Sequence, residues 1–215
     1  LLQMALSGLR CIDWCKITRS LMEGAVCGPD AADVSSLYDL SRPIAEGETI
    51  DFFLSHSWHD DSEAKFQVLE MAVMSFRRVH GRDPTFWLDK ACLDQENIGD
   101  GLKVLPVNVM ACSRVLVLFG HTYTKRLWCV WELFILFSFV TEKQAAERAV
   151  VLSVIEDADV CSRLFEFDIY EAHCYDPNEE ARLLAVIKAV GIDRFNRTIR
   201  ALARKIRVHS RYTIH

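Results

Sequence analysis

Glu132 is the residue whose surroundings most demand a chemical explanation. It lies in Trp128-Cys129-Val130-Trp131-Glu132-Leu133-Phe134-Ile135-Leu136. Its helical neighbours three and four positions away are Trp128, Cys129, Ile135 and Leu136, none of which is a counter-ion. An ionised carboxylate in that company is costly unless a distant partner or a ligand satisfies it. A perturbed carboxylate beside a cleft is a candidate catalytic group, whereas one turned to solvent or bonded to a backbone amide is not. The local sequence leaves both alternatives open.

A second cluster, Ser55-His56-Ser57-Trp58-His59-Asp60-Asp61, combines hydroxyl, imidazole, indole and carboxyl groups. Its His-x-x-His-Asp order invites a metal-hydrolase reading. Such sites draw ligands from several helices, however, and this cluster follows a single apolar run, so no metal is expected. Asp89-Lys90 and Gly120-His121-Thr122-Tyr123 end two further apolar runs. The nucleotide fingerprints are missing: Gly99-Asp100-Gly101 is the only GxG and follows a polar loop, and no GxxxxGK[ST] loop occurs. The cysteines show no Cys-His-Asn arrangement, so thiol catalysis is disfavoured.

Hydrophobic patterning identifies the elements that must position these groups. Four short runs, residues 50–54, 85–88, 115–119 and 149–155, are apolar without clean alternation, as in strands covered on both faces. Phe66, Leu69, Val73, Phe76 and Val79 predict a helix after the first run, with Asp60 and Glu63 as its capping box. Pro106 should start or kink a short helix ending near Cys112. Thr124 can cap a long helix reaching about Gln144. Phe165, Phe167 and Ile169 alternate with Glu166 and Asp168 and predict a half-exposed fifth strand over residues 165–169. Two helices, about 179–190 and 193–207, should follow. Residues 1–46 depart from this rhythm and read as a helical extension (residues 1–22) with a Gly- and Pro-containing loop. Alternating strands and helices imply a parallel sheet with helices on both faces. Ligands then bind beyond the carboxyl ends of the strands, where the polar clusters stand.

Composition narrows the function classes. The 215 residues are 51% hydrophobic with a net charge of −5, which excludes a disordered chain. Residues 192–215 hold seven Lys/Arg and one Asp, so the preceding chain is net acidic, and no nucleic acid is expected as a partner. Ile192, Phe195, Ile199, Leu202 and Ile206 form an apolar stripe on that basic segment. Of a membrane-surface helix, a nucleic-acid contact and a docked helix, this favours docking. No run approaches the roughly 18 apolar residues of a membrane span. The eight cysteines lack CxxC pairs, and no signal peptide is visible, so a cytoplasmic location with reduced thiols is expected.

Four motifs in order resemble the Toll/interleukin-receptor (TIR) domain family. Asp51-Phe-Phe-Leu-Ser-His-Ser57 resembles its opening strand. Phe86-Trp-Leu-Asp89 and the loop to Ile98 are similar to its second strand and BB loop. Ala111-Cys-Ser-Arg-Val-Leu-Val-Leu-Phe119 resembles the entry to its third strand, and Tyr123 with Trp128-Cys129-Val-Trp-Glu132-Leu133 its Tyr…Trp-Cys-x-x-Glu-Leu element. The stretch from Trp87 to Gln95 also resembles a fungal heterokaryon-incompatibility motif. The resemblance, over about residues 48–175, implies a flavodoxin-like five-stranded parallel sheet with helices on both faces. The domain would span 47–207, with an N-terminal helical extension (1–46), C-terminal helices (179–207) and a tail (208–215).

Many members of that family cleave the nicotinamide–ribose bond of NAD+, while others are self-associating adaptors. By resemblance Glu132 is the catalytic carboxylate, with NAD+ as substrate rather than cofactor. Ser55, His56, Ser57, Trp58, Asp89, Lys90 and Trp128 are the expected substrate contacts. Other TIR-like domains are the expected partners through residues 90–101, with Asp89, Lys90 and Glu96 at the contact.

Overall fold

The computed structural model describes residues 8–23, 37–93, 98–204 and 208–209. In chain order the elements are β1 (Arg10–Asp13), α1 (Arg19–Glu23), β2 (Arg42–Pro43), β3 (Ile50–His56), α2 (Ser62–His80), β4 (Thr85–Trp87), α3 (Asp89–Cys92) and α4 (Ile98–Ala111). They continue with β5 (Cys112–Phe119), α5 (Leu127–Phe139), α6 (Glu142–Arg148), β6 (Ala149–Ser153), α7 (Asp157–Phe165), α8 (Pro177–Val190), α9 (Ile192–Leu202) and β7 (Val208–His209). The strands join in the order β2-β1-β4-β3-β5-β6-β7. From β4 to β7 the neighbours are parallel, whereas β1 runs antiparallel to β4 and β2 antiparallel to β1. The protein is therefore an α/β fold on a mixed sheet, not the purely parallel five-stranded sheet expected.

Every residue of β3, β4 and β6 is buried, as the unalternating apolar runs require. Successive side chains of β3 serve opposite faces. Phe52 meets Phe76 of α2 with ring centroids 5.5 Å apart, and Ser55 meets Glu132 of α5. Helices thus cover both faces. Register then aligns the strand ends: His56 lies opposite Leu118, and Phe119 opposite Ser153, so the loops after β3 and β5 leave the sheet side by side.

Several local expectations are corrected. Residues 165–169 form no strand: α7 runs to Phe165, whose ring is 56% exposed, and a 3-10 turn covers Ile169–Glu171. The backbone there is satisfied by α9 instead of a ladder. Arg200 Nε donates to the Phe167 carbonyl at 2.7 Å, and Asn196 Oδ1 accepts from Ile169 N–H at 3.1 Å. The last parallel strand is β7, inside the expected tail. The N-terminal segment is likewise not simply helical, since β1 extends the sheet, pairing Ile12 with Phe86. The N-cap of α2 is Asp61, which accepts from Ala64 N–H at 2.7 Å. The buried stripe of α2 runs through Lys65, Val68, Leu69, Ala72, Val73 and Phe76, leaving Val79 exposed. The long helix expected through Gln144 is two helices, because Thr141 opens α6 with a capping box to Gln144. Its first half begins after Arg126 rather than at Thr124. Pro106 sits inside α4.

The basic C-terminal helix docks, as far as residue 204. Phe195, Ile199 and Leu202 are buried, and Phe195 packs on Phe134 at 4.6 Å and Trp131 at 6.3 Å, while Arg194, Arg197 and Arg200 are exposed. This contact completes the burial of α5, whose residues 129–136 are all buried. Ile206, Lys205 and Arg207 lie outside the described residues. Phe195→Ala should lower stability by about 3–5 kcal/mol, the range for a deleted core phenyl ring. Arg197→Ala, on the exposed face, should change it by less than about 0.5 kcal/mol. Urea denaturation checks both; a loss below about 1 kcal/mol for Phe195→Ala would contradict docking.

Candidate active site

Glu132 sits on α5 one turn beyond Trp128, is 3% exposed, and has no ion pair among the described residues. Its Oε2 accepts from Ser55 Oγ at 2.5 Å, and Ser55 Oγ is 2.6 Å from the Tyr123 hydroxyl. The Tyr123 hydroxyl also donates to the Cys129 carbonyl at 3.3 Å. Burial, reinforced by the negative charge of Asp89, pushes the Glu132 pKa well above the ordinary carboxylate range. The Ser55 hydroxyl opposes this. The Trp128 indole N–H also favours the carboxylate, but it falls short of hydrogen-bond geometry, so Ser55 is the defined donor.

Beyond Ser55 the chain leaves β3 and folds into a loop organised by Ser57. Lys65 Nζ donates to the Ser57 carbonyl at 2.8 Å, and Ser57 Oγ is 2.7 Å from Thr122 Oγ1. Asp60 bridges to the β5 loop, accepting from Thr122 N–H at 2.8 Å and from Thr122 Oγ1 at 2.9 Å. Gly120 permits this bridge, because a Cβ there would run into the Asp60 carboxyl. The His56-His59-Asp60-Asp61 cluster is thereby dispersed: Asp61 caps α2, Asp60 binds Thr122, and His56 is buried. Among the described residues no group of three or more His, Cys, Asp or Glu side chains is arranged to hold a metal ion.

A cavity of about 410 Å³ opens at the carboxyl ends of β3 and β4. His56, Ser57, Trp58, Asp89, Lys90 and Trp128 line it together, as do His59, Arg126, Cys129, Cys174 and Glu179. Ser55 and Glu132 do not reach its surface and stand behind it, next in chain to His56 and one helical turn from Trp128. Trp58 is fixed on several sides. Lys90 Nζ lies 3.9 Å from its ring centroid, the His56 ring meets it edge-on at 4.2 Å, and its indole N–H donates to Asp89 Oδ2 at 3.4 Å. Lys90 N–H binds the other Asp89 oxygen at 2.7 Å. Burial raises the Asp89 pKa and lowers that of His56 far below its usual value, so His56 is a neutral imidazole. Phe53, a conceivable ring partner for a ligand, stacks instead on Trp87 at 4.5 Å in the core.

Lys65 was not singled out from the sequence. It is fully buried, and burial pushes its pKa down to about 8, with Asp60 opposing. The signal was available: Lys65 occupies the apolar register of α2, four residues before Leu69. Arg126, Cys174 and Glu179 carried no such signal, because the loop reaching Cys174 meets Arg126 only in three dimensions, through an isolated Arg126–His173 bridge. Of the expected contact loop, residues 94–97 lie outside the described residues.

No family model and no curated protein matches the sequence.

The raised pKa of Glu132 has a thermodynamic signature. The folded value exceeds the unfolded one, near 4.5, so its contribution to stability is intact below that pH and is lost as pH rises toward the folded value. Wild type should thus lose stability relative to Glu132→Gln between pH 5 and neutrality, by up to about 1.4 kcal/mol per pH unit. Denaturation curves of both proteins across that range test this. A difference independent of pH would mean that Glu132 ionises normally.

Proposed function

We propose that the chain is a TIR-like domain that hydrolyses the nicotinamide–ribose bond of NAD+, with Glu132 as its catalytic carboxylate. Ser55, His56, Ser57, Trp58, Asp89, Lys90 and Trp128 are the substrate-binding set. The observation that carries the reading is convergence: residues from β3, α3 and α5 line one cavity with a desolvated carboxylate directly behind it. Within the mixed sheet, the parallel strands follow the 2-1-3-4-5 order of flavodoxin-like folds, which supports the finer fold reading. No helix among the described residues is long and apolar enough to cross a membrane, in keeping with the cytoplasmic setting proposed for NAD+ cleavage.

The chemistry asks little of acid catalysis. A glycosidic oxygen must be protonated as it leaves. Nicotinamide departs from a cationic ring nitrogen, which takes the bonding electron pair and becomes neutral. The positive charge passes to the ribose carbon, where a nearby carboxylate stabilises it. Water then adds to that carbon and releases a proton. In the empty cavity Glu132 favours its protonated form; an approaching pyridinium ring favours ionisation by its charge. Trp128, on the cavity wall, offers a flat face for that ring, whereas the Trp58 face already carries the Lys90 ammonium.

One observation favours a second reading, a non-enzymatic adaptor that works by self-association. Glu132 is sealed from the cavity surface, so substrate reaches it only if the wall formed by Trp128 and the segment after Asp89 moves. In the enzymatic reading, assembly through residues 90–101 supplies that movement.

Purified protein incubated with NAD+ at low and high protein concentration, with nicotinamide followed by chromatography, separates the two. Release should rise faster than linearly with protein concentration. Glu132→Gln should abolish release while keeping a native circular dichroism spectrum. An inactive wild type at every concentration would establish the adaptor, and a fully active Glu132→Gln protein would remove Glu132 from the chemistry.

A further inference from the structure

His59 is left over by the proposed reaction, and its surroundings are unusual. The ring is exposed at the rim of the cavity, facing cations from three separate elements: Lys65 on α2, Lys90 on α3 and Arg126 at the N-terminus of α5. Asp60 is the opposing charge, and its carboxylate already accepts two bonds from Thr122. Partial desolvation and then Arg126 depress the His59 pKa, with Lys65 and Lys90 adding to the effect and Asp60 opposing it.

Two of these cations are available to a ligand. Lys65 is buried on the Ser57 carbonyl, but Lys90 and Arg126 line the cavity. The ammonium of Lys90 rests on the Trp58 face, a contact that leaves N–H donors for an acceptor. Arg126 forms no salt bridge among the described residues. The first turn of α5 contains no acidic residue, so the positive end of this 13-residue helix adds to the field around Arg126, although its Leu127 N–H is already taken by the His173 carbonyl at 3.1 Å. Carboxylates compensate this region only in part, since Glu179 and Glu180 of α8 both feel the charge of Arg126 without forming a salt bridge with it. Asp89 is held by Trp58 and Lys90 N–H, burial shifts Glu179 toward its neutral form, and Glu23 is exposed at the end of α1.

We infer that His59, Lys90 and Arg126 form an oxyanion subsite at the rim of the cavity that takes the phosphate groups of a nucleotide. The inference rests on the reading that the cavity receives a dinucleotide. It places the phosphates at the rim and leaves the inner wall, Trp58, Asp89 and Trp128, for the ring to be released. Arg126 supplies two parallel N–H donors to one phosphoryl group, Lys90 a point charge, and His59 a proton-dependent third donor.

The test is isothermal titration of the full chain at pH 7 with adenosine, ADP and inorganic phosphate, for wild type, Arg126→Gln and Lys90→Gln. ADP should bind at least about tenfold tighter than adenosine, and each variant should lose most of that preference while keeping its melting temperature. ADP should raise the His59 pKa, read from its imidazole proton resonances, and should not do so in Arg126→Gln. Equal ADP affinities in wild type and both variants, or an unmoved His59, would overturn the subsite. Inorganic phosphate binding as tightly as ADP would overturn its assignment to a nucleotide. Glu132→Gln should keep the wild-type ADP affinity. A protein that binds ADP through Arg126 yet never releases nicotinamide retains the subsite and loses only the glycohydrolase.

Discussion

A carboxyl group inside an apolar helix, met across the sheet by a serine hydroxyl, is the constraint on which the rest of the structure depends. Residues 129–136 of α5 are all buried, and Glu132 is the polar member of that stretch. Without Ser55 its desolvation would oppose the packing of α5 on the sheet. The Ser55 contact therefore fixes the register of β3. A slip of one residue would turn Ser55 to the α2 face and bring Leu54 or His56 against the carboxyl. With the register set, Phe52 meets Phe76 on the opposite face, and the end of β3 delivers His56, Ser57 and Trp58 to the cavity. A core-packing requirement and a chemical requirement are thus met by the same side chain.

What the sequence disclosed follows from which forces are local. The buried strands were legible because double-sided burial leaves unbroken apolar runs, and β3, β5 and β6 begin or end within a few residues of those runs. That His56, Ser57, Trp58, Asp89 and Lys90 would gather at one rim was legible because a parallel sheet brings the carboxyl ends of its strands to one edge. Where a tertiary partner decided the outcome, local pattern failed. Residues 165–169 alternate like an edge strand, yet Asn196 and Arg200 of α9 satisfy that backbone, and nothing within the segment announces them. Strands β1 and β7 are four and two residues long, too short to show a period. At the start of α2, two adjacent aspartates offered the same cap, and the choice of Asp61 follows from Thr122 holding Asp60.

The electrostatics of the cavity divide along its depth. Behind and along the inner wall, Glu132 and Asp89 are both shifted toward protonation by burial, and the charge of Asp89 makes the ionisation of Glu132 harder still. At the rim, Arg126 and Lys90 supply positive charge beside His59, whose own protonation they disfavour. An elongated ligand with a cationic ring at one end and anionic groups further along matches that gradient. Under the proposed function the inner carboxyls start toward neutral and gain charge only as a cationic ring approaches, whereas the rim cations are charged before an anionic group arrives. Such complementarity orients a ligand as well as binding it.

The framework carrying this gradient is built from contacts between loops rather than within them. Asp60 of the β3 loop holds Thr122 of the β5 loop, and the absence of a side chain at Gly120 makes the approach possible. The segment ending at Cys174 reaches back to the start of α5, where Leu127 N–H donates to the His173 carbonyl at 3.1 Å. From there the load passes along α5 to Trp131 and Phe134, which α9 covers with Phe195. The cavity wall in front of Glu132 is therefore fixed at its α5 side by two distant parts of the chain. The segment after Asp89 is anchored differently, by Ala91, Cys92 and Leu93, which are buried in the core, and by Leu93 N–H on the Asp89 carbonyl at 3.0 Å. Lys90 is the member of that segment whose side chain is held at the cavity by a cation resting on an aromatic face rather than by core packing.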